Sequence, residues 1–417
     1  MLGADVVDEG RPPAPAGLMP ALLRSFSYRE YRLLWFHSVL LHLGRQTWEV
    51  IQGWLLLQLT SSAAVLGVAN ALWRLPTFVV EPVGGVLADR VDRRLLMALT
   101  MLPYVPLLAI MGIGAQAGWI APWHAFAAAL VGGVCSALYR PSRQALLPNL
   151  VPREALVNAV ALGGAVQYVG MAVGPALAGL LIASAGIAAA FYGNALIYGA
   201  GVLLLALVHL PRITGSAGSL WHAFTAGLRY VGQDRTILVL VGLQLFIDIP
   251  AQSYATLMPV LARDEFHAGA EGLGLLLALS AVGSAAGIAV VAGLGPSRPR
   301  AAMLLGSGFG YCCAILLLSS LPDLGPALGA MVAAGAAYGL YTTLTNALIQ
   351  WLVDDAYRGR VMSTVATGHM GAAFAGNLLM GAAASAVGVR TAMAAVAVVA
   401  AGATLAVALA VPSLRRS

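Results

Sequence analysis

Gly85-Val86-Leu87-Ala88-Asp89-Arg90-Val91-Asp92-Arg93-Arg94 joins two apolar runs, each long enough to cross a bilayer. Gly84 and Gly85 carry no side chain, so two helices can approach closely there. Asp89 stands where a helix ends, and Arg90, Arg93 and Arg94 hold the turn on one side of a membrane. The stretch reads as a membrane hairpin, and the fold follows from counting the other apolar runs.

Composition agrees with that reading. Of 417 residues, 60% are apolar and 10% charged, where soluble domains carry roughly 25% charged residues. All 23 basic residues are arginine. The net charge of +6 is therefore an orientation signal to be read by position, and no nucleic-acid partner is expected. Cys135, Cys312 and Cys313 lie in apolar runs without metal spacing or a disulfide framework, so free buried thiols are expected. No metal, no cofactor and no enzymatic activity is expected, since the chain has no phosphate loop, metal cluster or nucleophile beside a base.

Residues 1–20, rich in Pro, Gly and Ala, lack the basic start and apolar core of a signal peptide. After them, windows of about 20 apolar residues predict twelve spans: 33–59, 63–88, 95–116, 122–147, 157–184, 187–210, 237–262, 271–294, 301–321, 325–352, 361–386 and 390–411. Nearly every arginine between spans falls on the side of the N-terminus, with Arg263 and Arg390 near the other face. Both termini are thus expected in the cytoplasm. The chain also repeats at a shift of 202 residues: Leu138-Tyr139 as Leu340-Tyr341, Ala145-Leu146 as Ala347-Leu348, Val151 as Val353, and Gly174 and Gly179 as Gly376 and Gly381. The expected organisation is all-α and polytopic: a largely disordered tail over 1–30, a six-helix bundle over 31–210, a cytoplasmic linker over 211–236, a second bundle over 237–411, and a tail over 412–417.

The opening turn resembles the signature after the second helix of the major facilitator superfamily, with Asp92 where that pattern has glycine. A longer run, Arg140-Pro-Ser-Arg-Gln-Ala-Leu-Leu-Pro-Asn-Leu-Val-Pro-Arg-Glu-Ala-Leu-Val-Asn-Ala159, is similar to the branch containing macrolide efflux proteins and the enterobactin exporter. So are Trp54-Leu-Leu-Leu-Gln-Leu-Thr60, Arg74-Leu-Pro76 and Arg358-Gly-Arg-Val-Met-Ser363. Gly170, Gly174, Pro175 and Gly179 resemble the antiporter signature of the fifth helix, although their spacing also suits small-residue packing with a proline kink. The resemblance implies two pseudo-symmetric six-helix bundles with a site at mid-depth between them. It also implies alternating access, a bacterial inner membrane, a small-molecule substrate and a monomer. In the superfamily the turn's aspartate meets the start of the eleventh helix, so Asp89, with Gly85, Arg90, Arg93 and Arg94, is expected to latch the halves on the cytoplasmic side.

The superfamily's cavity is lined by the first, fourth, seventh and tenth helices. On those helices of this chain, polar residues fall on single faces. His42, Arg45, Glu49 and Gln52 follow one helical stripe; Gln244, Asp248 and Gln252 recur every four; Tyr338, Tyr341, Thr342 and Thr345 form a third. Facing lipid, a central charge would cost roughly 2.5–3.5 kcal/mol, so the stripes are expected to face water or one another. Depth predicts two charge groups: Arg45, Glu49, Arg74 and Asp248 near the middle, and Glu81 with Arg140 one or two turns nearer the cytoplasm. A buried acid beside a movable arginine can exchange that partner for a proton. Glu49, Glu81 and Asp248 are the acids available for this, with His42 and His369 as further relay candidates. The expectation is a proton-coupled exporter of an amphipathic or anionic organic molecule. A lipid transporter of the same fold and a nontransporting receptor or assembly protein remain the alternatives.

Overall fold

The computed structural model describes residues 21–90, 92–209, 220–294 and 301–410. The side chains of 81–90 lie outside the described residues, and with them Glu81, Gly85, Asp89, Arg90 and the latch expected of that turn. The chain is helical, and no strand occurs among the described residues. Its helices are α1 (Arg29–Thr60), α2 (Ala63–Arg90), α3 (Arg93–Met101), α4 (Tyr104–Ala117), α5 (Pro122–Leu146), α6 (Arg153–Ala206), α7 (Leu220–Gln233), α8 (Arg235–Val260), α9 (Gly269–Gly293), α10 (Ala301–Ser320), α11 (Leu324–Leu352), α12 (Asp355–Val387) and α13 (Val389–Ala410).

Nine stretches among the described residues are long and apolar enough to cross a membrane, with α3 and α4 forming one span over Arg93–Ala117. The 54-residue α6 supplies two spans, because Gly186 breaks it at φ 81°, ψ 171°. Helices α1 and α2, which carry Arg45, Glu49 and Arg74, complete the twelve. Gly388 closes α12 at φ 86°, ψ 156°, and it stands 202 residues after Gly186. Backbone in this region is nearly closed to side chains other than hydrogen, so the repeat fixes where each half turns between its last two spans.

The two halves pack by the same plan. In the first, α1 lies on α6 and α2 on α5; in the second, α8 lies on α12 and α9 on α11. Gly174 of α6 fits against Leu43, Gln46 and Thr47 of α1, and Gly376 of α12 against Ile249 and Ser253 of α8. The halves meet where α6 crosses α9 and where α2 crosses α12. At the second crossing a Cβ on Gly67 would lie 2.5 Å from the Asn377 carbonyl oxygen, so two backbones touch with nothing between them. At the first, Gly179 sits equally close to the Ala270 carbonyl oxygen, also at 2.5 Å.

All these cross-half contacts lie away from the face at which α1 begins, here the proximal face. On the distal side, Arg263 Nη1 donates to the Leu57 carbonyl oxygen (2.8 Å) and the Ala64 N–H to Ser385 Oγ (2.9 Å), both between halves. On the proximal side, α7 packs on α12, and Tyr230 Oη donates to Asp354 Oδ2 (3.1 Å). Asp92 caps α3, its Oδ1 accepting from the N–H groups of Arg94 (2.9 Å) and Leu95 (3.2 Å). The Arg94 guanidinium donates to the Ala206 carbonyl oxygen within the first half, and Arg93 is buried.

Candidate functional site

With the halves clamped distally, a cavity of about 590 Å³ remains between them from mid-depth to the proximal side. Its proximal rim includes Arg143 and Gln144 near the end of α5, Gln167 on α6, Asn346 on α11 and Met362 on α12. Where the helices close distally, Asn70 of α2 donates through Nδ2 to Thr256 Oγ1 of α8 (3.0 Å), which donates to Asn377 Oδ1 of α12 (2.8 Å). A pocket of about 40 Å³ behind Glu49 and Arg74 reaches these three residues.

The first half gives the cavity a cationic, aromatic wall. Arg45 and Glu49, one turn apart on α1, pair at 3.0 Å, and the Arg45 guanidinium carbon sits 5.9 Å from the Trp73 ring centre. Arg74 follows Trp73 on α2 and also lines the cavity. Among the described residues its guanidinium has no hydrogen bond or ion pair, and Glu49, which shares the cavity, is paired with Arg45. Arg140 and Arg143, three residues apart on α5, line the same wall, and Arg143 Nε donates to Ser38 Oγ (2.8 Å). Tyr104 and Tyr198 stack at 4.7 Å, and the Tyr104 hydroxyl is buried without a hydrogen-bond partner among the described residues.

The second half answers with a carboxylate. Asp248 of α8 is fully buried and accepts from Tyr338 Oη of α11 (2.9 Å) and from His369 Nδ1 of α12 (2.8 Å). Gln252 Nε2 donates to the same tyrosine oxygen (3.1 Å). His369 and Tyr338 line the cavity; Asp248 sits behind them.

The expected stripes divide in three dimensions. His42, Arg45, Glu49, Gln244, Gln252, Tyr338 and Thr342 line the cavity, and Gln52 lines only the small pocket beside it. Tyr341 and Thr345 are fully buried, with Thr345 Oγ1 donating to the Tyr341 carbonyl (2.8 Å). His42 Nδ1 bonds the Ser38 carbonyl (2.8 Å). Gly170 and Gly174 receive α1, while Pro175 and Gly179 meet α9 of the other half. Spacing alone does not single out His369, which finds its partner 121 residues away. Nor does it single out Trp73 or Arg143, although Arg143 shares a helical face with Arg140.

A family model described as transmembrane secretion effector matches residues 21–416. The chain belongs to this family, within the major facilitator superfamily. It is a membrane-embedded small-molecule transporter. It is 26% identical to macrolide efflux protein A of Streptococcus pyogenes, over 73% of this chain and 76% of that one. It is 29% identical to the enterobactin exporter of Escherichia coli O1:K1 / APEC, over 73% of each. The staphyloferrin A transporter of Staphylococcus aureus is 27% identical over 59% of this chain, a match spanning 62% of that protein. In fold, the chain is similar to a bacterial homolog of the human lysosomal transporter Spinster in an inward-facing, unoccupied conformation (TM-score 0.76, 15% identity, 96% of this chain and 100% of that one). A nucleoside transporter structure gives a TM-score of 0.70 at 14% identity, over 93% of this chain and all of that one.

For a transporter of this family the two walls have different chemistry. The first can receive an anion at Arg74 and an aromatic or apolar body against Trp73 and the tyrosines. The second holds a carboxylate and an imidazole in contact.

Proposed function

We propose that this secretion effector is a proton-coupled exporter that loads an amphipathic organic anion from the cytoplasm of a bacterial inner membrane and works as a monomer. The observation that carries this reading is Arg74, a guanidinium with no hydrogen bond or ion pair among the described residues, in a cavity open on the proximal side and closed distally. A charge kept at mid-depth is costly unless it is used, and a carboxylate or sulfonate would supply the missing hydrogen bonds. The arginine asymmetry of the loops makes the proximal face cytoplasmic. The cavity in this state therefore faces the compartment from which an exporter loads. The names of the relatives, among them an enterobactin exporter and a staphyloferrin A transporter, support small-molecule export.

Inside-out vesicles with an acidic lumen test this directly, with enterobactin, staphyloferrin A and a macrolide as probes. The expected result is concentrative uptake that collapses when a protonophore dissipates the gradient, strongest for staphyloferrin A, the carboxylate-bearing probe. Uptake of these probes that ignores the gradient would contradict coupling, and uptake of the macrolide alone would contradict the preference for anions.

A further inference from the structure

The geometry points to the Asp248–His369 pair as the site where the coupling proton binds, and to the α8–α12 unit as the element that carries its state to the distal gate. This inference rests on the exporter reading and adds the residues that take the proton. Three observations support it.

The first is the contrast between halves. At the repeat shift of 202 residues, Asp248 falls on Gln46 and His369 on Gln167. Both glutamines line the same cavity. The first half thus keeps hydrogen-bonding capacity at these two positions with groups that do not titrate, while the second places an acid and an imidazole there. Conversely, Arg74, Arg140 and Arg143 fall on Leu276, Thr342 and Thr345. Among the described residues, the arginines that line the cavity belong to one half and the acid–imidazole pair to the other.

The second is access. Asp248 is fully buried, whereas a quarter of the His369 side chain is exposed to the cavity. A proton entering from the proximal side reaches the imidazole first and the carboxylate through it. Other ionisable groups face this pair. They are Tyr311 of α10 and Tyr338 and Tyr341 of α11, with Arg45, Glu49 and Arg74 across the cavity. Arg390 of α13, Arg229 of α7 and Glu271 of α9 lie toward the ends of their helices. Glu49 is paired with Arg45, so Asp248 is the cavity acid without an arginine partner among the described residues.

The third is register. Asp248 pairs with His369, and Thr256 pairs with Asn377. Both steps are eight residues, about 12 Å along each helix, so the two pairs are rungs of one ladder. Between them Gly376 fits against Ser253 and Ile249, and below them Gly368 fits against Leu245. The upper rung ends on Asn70 of the other half. A change in the lower rung that shifts α12 against α8 therefore reaches the cross-half contact that closes the distal side.

The test uses the full chain in liposomes, without substrate. Difference infrared spectra across a pH titration should show a protonated-carboxyl band in the wild type. The band is lost in Asp248→Asn, kept in Glu49→Gln, and displaced in frequency by His369→Gln and Tyr338→Phe because its hydrogen-bond partners change. In a background without native cysteines, spin labels at Ala117 and Val387, on the distal ends of the two halves, should report a pH-dependent distance change that Asp248→Asn abolishes. A band indifferent to Asp248→Asn overturns the assignment. Should that variant fail to fold, a band unmoved by both His369→Gln and Tyr338→Phe overturns it equally. A distance change that survives in Asp248→Asn or His369→Gln overturns the link to the gate. If the band and distance behave as expected while vesicle uptake ignores the gradient, the proton site stands and proton-coupled export fails.

Discussion

Arg74 and Glu49 show what a charge does when it is, or is not, given a partner. Glu49 sits one turn from Arg45, and the pair at 3.0 Å is legible from the sequence, because residues four apart share a helix face. Arg74 shares a pocket with Glu49 and Trp73 but makes no hydrogen bond or ion pair among the described residues. A hydrogen bond to a charged group contributes about 1.5–3 kcal/mol. Arg74→Gln should therefore weaken binding of staphyloferrin A, the carboxylate-bearing probe, by roughly ten- to 150-fold in calorimetric titration. The thermal midpoint of the empty protein should not fall, since no hydrogen bond or ion pair of the guanidinium among the described residues is lost. A falling midpoint with unchanged affinity would make Arg74 a packing residue. His369 marks where sequence reading stops: a histidine on an apolar helix has no visible partner, and Asp248 is reached only through the packing of α8 on α12.

At the scale of elements, small residues decide which face of the molecule is shut. The sequence repeat shows Gly174 and Gly179 recurring as Gly376 and Gly381. It does not show that Gly174 and Gly376 hold helices within a half while Gly179 and Gly381 join the halves. That distinction is a matter of depth and crossing angle, which spacing does not encode. Gly67→Ala would place a methyl 2.5 Å from the Asn377 carbonyl oxygen. Overpacking of this kind costs about 1–3 kcal/mol, spent against the distally closed state alone. The Ala117–Val387 label distance should accordingly shift toward a longer population, by a factor of roughly five to 150. An unchanged distribution would mean the α2–α12 crossing is not the gate. Gly388→Ala, at φ 86°, should instead lower the thermal midpoint without moving that distribution, because strain of about 1–3 kcal/mol falls on a turn outside the contact.

For the whole molecule, twelve spans in two repeats follow from hydropathy and the 202-residue shift. The division of labour between halves does not. Polar stripes on the first, seventh and tenth spans indicate an aqueous centre, yet the first carries both signs of charge and the third none. Only packing separates the cationic wall of α1, α2 and α5 from the acid and imidazole of α8 and α12. The proposed exporter would bind its anion on one half and its proton on the other, and couple them through the closure that both halves share. Inside-out vesicles comparing gradient-driven uptake with substrate exchange at equal pH test that claim most directly. With staphyloferrin A as probe, Arg74→Gln is predicted to lose both modes, and Asp248→Asn to lose the driven mode while keeping exchange. Equal loss of both modes in the two variants, or driven uptake surviving Asp248→Asn, would contradict the account.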